Sequence, residues 1–79
     1  MEINQSELFE TRDLWIAAYL RTKGAILQDT RNDHGKYYFI FSDIDSCEHL
    51  VREYFRGALV PVIDLKSSIN FFKDRIFSG

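Results

Sequence analysis

The spacing of apolar positions changes along the chain, and each change marks an element. Leu14-Trp15-Ile16-Ala17-Ala18-Tyr19-Leu20 is apolar without a break. Helix signals flank this run. Thr11 can serve as N-cap, Asp13 falls in the first turn, Arg21 and Lys23 in the last, and Gly24 follows as the left-handed terminator. These residues predict a helix from about Arg12 to Lys23. A surface helix carries a polar face, and this one lacks it for two turns. Either further elements cover it on more than one side, or part of it is left for a partner.

Ala25 to Thr30 and Lys36 to Phe41 read as strands on either side of Arg31-Asn32-Asp33-His34-Gly35. The pattern is that of an antiparallel hairpin with a loop of about four or five residues, in which Gly35 takes positive φ. In the second strand Tyr37, Phe39 and Phe41 point one way, Tyr38 and Ile40 the other. Neither side is polar, which predicts a central strand with both faces at least partly covered. A second helix begins near Asp45, with Glu48 three positions on completing a capping box. Ile44, Cys47, Leu50, Val51, Tyr54 and Phe55 recur at helical spacing as its core stripe. Glu48, His49, Arg52 and Glu53 take the solvent side, Glu48 and Arg52 one turn apart, and Gly57 ends it. Leu59 to Ile63 is β-rich, but Pro61 cannot donate to a ladder, so the segment reads as a short edge strand. Asp64 then caps a last helix striped by Leu65, Ile69, Phe72 and Ile76, with Phe71 off the stripe.

The predicted order is αββαβα. It implies an α/β (α+β) domain of two layers: a three-stranded mixed sheet, with an antiparallel hairpin and three helices mainly on one face. The second and third strands, joined through a helix, should run parallel by a right-handed crossover. Seventy-nine residues suit one domain, residues 1–79, with 1–10 the least structured stretch and Ser78-Gly79 expected to fray. A chain this short buries roughly 60% of its unfolded surface. Seven Phe, four Tyr and one Trp supply large buried areas per residue, which helps so small a core.

Charge and chemistry narrow the function classes. Ten basic against twelve acidic residues give a net charge of −2, so nothing draws the whole chain toward nucleic acid or an anionic membrane. Cys47 is the single cysteine, which fits a reducing compartment and a buried, inert thiol. The apolar runs are too short for a membrane span, and Met1-Glu2-Ile3-Asn4-Gln5 does not read as a signal peptide, so a cytoplasmic location is expected. The sequence contains no G-x-S-x-G, no H-E-x-x-H and no Gly-rich phosphate loop. Asp43 and Asp45 stand where a helix start wants acceptors, and His34 and His49 fall on a polar loop and a solvated helix face. The chain is therefore expected to be no enzyme, with no catalytic or metal-binding residue and no cofactor.

Two surfaces remain. Trp15 and Tyr19 are one turn apart on the apolar helix and, with Phe71, form a candidate protein interface, since aromatic residues are enriched at interface hot spots. Arg31, Lys36 and Tyr38 form a candidate nucleic-acid contact, in which an exposed ring would stack a base and the cations hold phosphates.

Thr11-Arg12-Asp13-Leu14, Ala17-Ala18-Tyr19-Leu20, Lys23-Gly24, Tyr38-Phe39-Ile40-Phe41 and the helix around Cys47 to Phe55 carry a likeness. Over residues 9–77 the chain resembles a family of short bacterial and viral domains of unknown function. The resemblance implies a compact αββαβα-type domain often carried by mobile elements, and it supplies no catalytic residues. The expected function is a non-enzymatic protein-interaction or regulatory module, binding a protein partner or itself as a homodimer. The alternative is a small nucleic-acid-binding domain using strand 36–41. Burial of Tyr37, Tyr38, Phe39 and Phe41 separates the two, together with whether Arg31 and Lys36 share a face with an exposed ring.

Overall fold

Strand 36–41 is central, as its two apolar faces require. In the computed structural model, which describes residues 7–78, it forms β3 (Lys36–Ser42) between β1 (Leu8–Thr11) and β2 (Leu27–Asp33). Both pairings are antiparallel, Phe9 opposite Phe41 and Thr11 opposite Phe39 on one side, Thr30 opposite Phe39 and Arg31 opposite Tyr38 on the other. The α+β class with three strands and three helices is the one expected, but the sheet is antiparallel throughout, not mixed. Its third strand comes from the N-terminal stretch expected to be poorly structured; of that stretch, residues 1–6 lie outside the described residues, as does Gly79.

The hairpin is tighter than its sequence suggests. Arg31, Asn32 and Asp33 belong to β2, and the turn is His34-Gly35 alone, both at positive φ (55° and 87°). Two successive left-handed residues give the turn whose twist matches that of the flanking strands. Asn32 Oδ1 accepts from the Gly35 N–H at 2.9 Å and holds it closed.

Helix α1 (Leu14–Thr22) starts later than expected. Asp13 is its N-cap, accepting from the Trp15 and Ile16 N–H groups, while Thr11 is the last residue of β1 and its hydroxyl accepts from the Asp13 N–H. Helix α2 (Ile44–Phe55) is likewise capped by Asp43 and not Asp45. Asp43 takes a left-handed conformation (φ 67°), which an Asp tolerates better than most residues, and accepts from both the N–H and the hydroxyl of Ser46. Helix α3 spans Val62–Ser78. The expected edge strand at 59–63 is absent: residues 58–61 carry no regular structure, and Val62 and Ile63 open α3. Pro61 offers its carbonyl to the Asp64 and Leu65 N–H groups, so it stands at the mouth of the helix and Asp64 lies in the first turn, not at the cap. A proline fits there because the first helical N–H groups have no partner to lose.

All three helices lie against one face of the sheet, and α1 packs between α2 and α3. That explains its missing polar face, since Ala17, Ala18, Tyr19 and Leu20 are covered from three sides. The core joins Ala17, Ala18 and Leu20 to Phe39, Phe41, Cys47, Ile69 and Phe72. Phe72 sets the contact between α3 and β3, its ring edge-on to Phe39 at 4.8 Å. Buried Ser68 ties α3 to α1: Arg21 Nη1 donates to its hydroxyl at 3.1 Å, and Thr22 Oγ1 lies 2.9 Å from it. No helix among the described residues is long and apolar enough to cross a membrane.

Candidate functional site

Helices α1 and α2 run in opposite directions. Tyr19 meets Tyr54 with ring centroids 5.4 Å apart, while Lys23, past the end of α1, lines one groove with Ser46 and His49 of early α2. Phe55 therefore ends α2 near the Trp15 end of α1. Helix α3 enters at the opposite end, where Ile63 shares a hollow with Arg21. The connection between them runs back along the helical layer, and its side chains point to solvent. Phe55 is 72% exposed, Leu59 92%, Val62 79% and Ile63 74%. Four large apolar side chains within nine residues are thus exposed, Phe55 set apart from the other three by Arg56 and Gly57. Elsewhere Leu8, Ile26 and Phe77 are exposed at scattered places.

The expected interface residues do not come together. Trp15 is 56% exposed, at the open first turn of α1. Tyr19 is buried and unavailable to a partner; its hydroxyl has no hydrogen-bond partner among the described residues, and burial, with the nearby Glu53 charge, raises its pKa above the ordinary value. Trp15 and Tyr19 share a helix side as their spacing requires, but Tyr54 and α2 cover only the inner of the two. Phe71 is half-buried with the guanidinium of Arg21 4.0 Å and that of Arg75 5.3 Å from its ring centre, so cations already occupy it.

The helix-free face of the sheet holds Tyr38, Arg31 and Lys36 together, since Arg31 is opposite Tyr38 and Lys36 lies two residues before it. Phe39 and Phe41 are buried on the other face, and Tyr37 is half-buried there, donating its hydroxyl to the Ile76 carbonyl at 3.3 Å. The Arg31 guanidinium stacks 4.4 Å from the Tyr38 ring centre and continues to Glu10, donating to both carboxylate oxygens at 3.2 and 3.3 Å. That hydrogen bond is the largest cause raising the Arg31 pKa. Glu10, Asp29 and Asp33 take the same face by register, so its acidic side chains match the basic Arg12, Arg31 and Lys36 in number.

A groove of about 600 Å³ lies beside the start of α2, lined among others by Lys23, Ile26, Asp45, Ser46, His49 and Leu50. Two of its polar side chains are engaged nearby, His49 with Glu53 at 3.0 Å and Ser46 with Asp43 at 2.9 Å. Cys47 beneath it has no exposed surface, and burial pushes its thiol pKa up, so it is held as the thiol. No group of three His, Cys, Asp or Glu that could hold a metal ion forms among the described residues.

The apolar connection was legible only as a conflict. The α2 stripe predicts Phe55 as core, yet it is the last residue of the helix and is 72% exposed. Leu59 to Ile63 combines strand propensity with a proline that a ladder rejects.

A family model described as "Domain of unknown function (DUF5659)" matches residues 6–75 of the chain. No curated protein and no solved structure matches it.

Proposed function

From the premise that the chain belongs to this family of unknown function, DUF5659, we propose that it is a non-enzymatic protein-interaction module whose binding element is the apolar connection from Phe55 to Ile63. The observation that carries the reading is the exposure of Phe55, Leu59, Val62 and Ile63, each above 70%. Monomeric proteins seldom leave large apolar side chains grouped in water, and such groups often mark interaction sites. A residue run that reads as strand yet finds no strand partner in its own fold points the same way, because breaks in local consistency gather at functional positions.

A second reading takes the helix-free sheet face, with Tyr38, Arg31 and Lys36, as a nucleic-acid platform. Glu10, Asp29 and Asp33 on that face count against it, as phosphate binding needs an excess of cations. A photo-crosslinking residue placed at Leu59, and separately at Lys36, tests both in the native cell. Specific protein adducts from position 59 and none from 36 are the expected result. Nucleic-acid adducts from position 36 with none from 59 would refute the first reading in favour of the second.

A further inference from the structure

The outer side of α3 meets α1 in a hollow of about 510 Å³, lined by Ile63, Lys66, Asn70 and Asp74 at helical spacing, by Phe71 and by Arg21 of α1. Arg21 is held in place there. Thr22 donates its one hydroxyl proton to the Ala18 carbonyl at 2.8 Å, so across the 2.9 Å between the two hydroxyls it is Ser68 that donates to Thr22. The oxygen of buried Ser68 is then the acceptor for Arg21 Nη1 at 3.1 Å. This chain of hydrogen bonds runs one way, from guanidinium to backbone carbonyl, and fixes one end of the guanidinium. The Phe71 ring, 4.0 Å away, supports its face. An arginine has five N–H donors, and only this one of Arg21 meets an acceptor among the described residues. Arg75 lies against the same ring at 5.3 Å, and Lys66 is exposed on the wall of the hollow. Three cations therefore gather about the hollow, while Asp74 is the one carboxylate among its described lining residues and can offset only one of them.

The geometry points to this hollow as a carboxylate-binding subsite, its occupant an acidic side chain of a partner protein whose apolar residues cover Leu59 to Ile63. This rests on the reading of the connection as a binding element and adds the chemistry of the partner, an acidic and apolar segment. Ile63 joins the two surfaces, since it belongs to the exposed apolar run and lines the hollow as well. Charge complementarity selects the occupant. A guanidinium already held in position can give a carboxylate two parallel hydrogen bonds with little further loss of freedom. Lys66 adds a second positive charge, which attracts acidic segments and disfavours basic ones.

NMR titration of the isotope-labelled full chain tests this, with an end-blocked peptide of alternating Glu and Leu as probe and its Gln and Lys counterparts as controls. The Glu peptide should shift the Arg21 side-chain N–H and the Lys66 and Asn70 amides. It should bind about tenfold or more tighter than the Gln peptide at low salt, a gap that narrows as salt screens the charges. Lys66→Glu, at an exposed position, should abolish that preference with an unchanged melting temperature. Arg21→Lys keeps the charge but loses the planar fork, and should weaken binding severalfold. Equal binding of the Glu and Gln peptides overturns the proposal, as do shifts confined to other surfaces, or a Lys66→Glu variant that still prefers the Glu peptide. Inorganic phosphate that binds at the same residues more tightly than the Glu peptide also overturns it, making the hollow a site for small anions. A chain that ignores the Glu peptide yet crosslinks to a protein from position 59 overturns the acidic partner while leaving the proposed function standing.

Discussion

Replacing Phe72 by Ala removes the side chain on which the helix–sheet contact turns. Phe72 is fully buried, with ring centroids 4.8 Å from Phe39, 6.4 Å from Phe41 and 5.2 Å from Phe71. A Phe→Ala change at such a site costs about 3–5 kcal/mol, from lost transfer energy and the cavity left behind. A domain of this length holds only about 4–12 kcal/mol in total, so the variant should lose between about a quarter of its stability and all of it. Phe71 is the control, next in sequence and of the same type. It is half-buried at the edge of the core, its ring between Phe72 and the guanidinium groups of Arg21 and Arg75. Two exposed cation–π contacts are worth about 0.5–1 kcal/mol each, so Phe71→Ala should cost about 1–2 kcal/mol. The gap of about 2 kcal/mol corresponds to about 8–16 °C in melting temperature for a domain this small. Urea melts of both variants, fitted by linear extrapolation with the slope checked for constancy, measure it. Equal losses, or a greater loss from Phe71→Ala, would refute the assignment of Phe72 as the anchor of α3.

Two further outcomes follow from buried groups. Tyr19→Phe removes a hydroxyl that has no partner among the described residues, so it should stabilise the fold by about 1–2 kcal/mol, read as a higher melting temperature; a destabilised variant would mean that the hydroxyl is satisfied. Cys47 and Tyr19 both have raised pKa values from burial, so the folded state keeps protons that the unfolded chain gives up. That part of the stability is complete below the ordinary thiol value of 9.0 and is lost as pH rises above it, with Tyr19 adding to the loss above 10.0. Melts between pH 7 and 11 should show the decline, and Cys47→Ala should remove its lower-pH portion; a wild-type profile flat to pH 11 would refute the linkage.

Features encoded by near neighbours were legible in the sequence. Gly24 ends α1 and Gly57 ends α2, both at positive φ, as helix terminators do. The stripe Leu65, Ile69, Phe72, Ile76 is the inner face of α3, and the doubly apolar strand is the central one. Caps were less certain, because Asp13 and Asp43 lie within two residues of the equally suitable Thr11 and Asp45, and the choice depends on where the preceding strand releases the chain. Tertiary structure alone decided the third strand. Leu8–Thr11 is four residues long and alternates no more clearly than a loop. It is a strand because β3 has a free edge within reach of it. With β1 and β2 on either side of β3, only the outer edges of β1 and β2 are left for Leu59–Ile63, whose proline weakens its claim to a ladder and whose last two residues open α3 on the helical face. Strand pairing is non-local, so β-propensity states only that a segment fits a sheet. Whether an edge lies within reach of it is a property of the assembled fold, and here the segment sits between α2 and α3 with its apolar side chains in water.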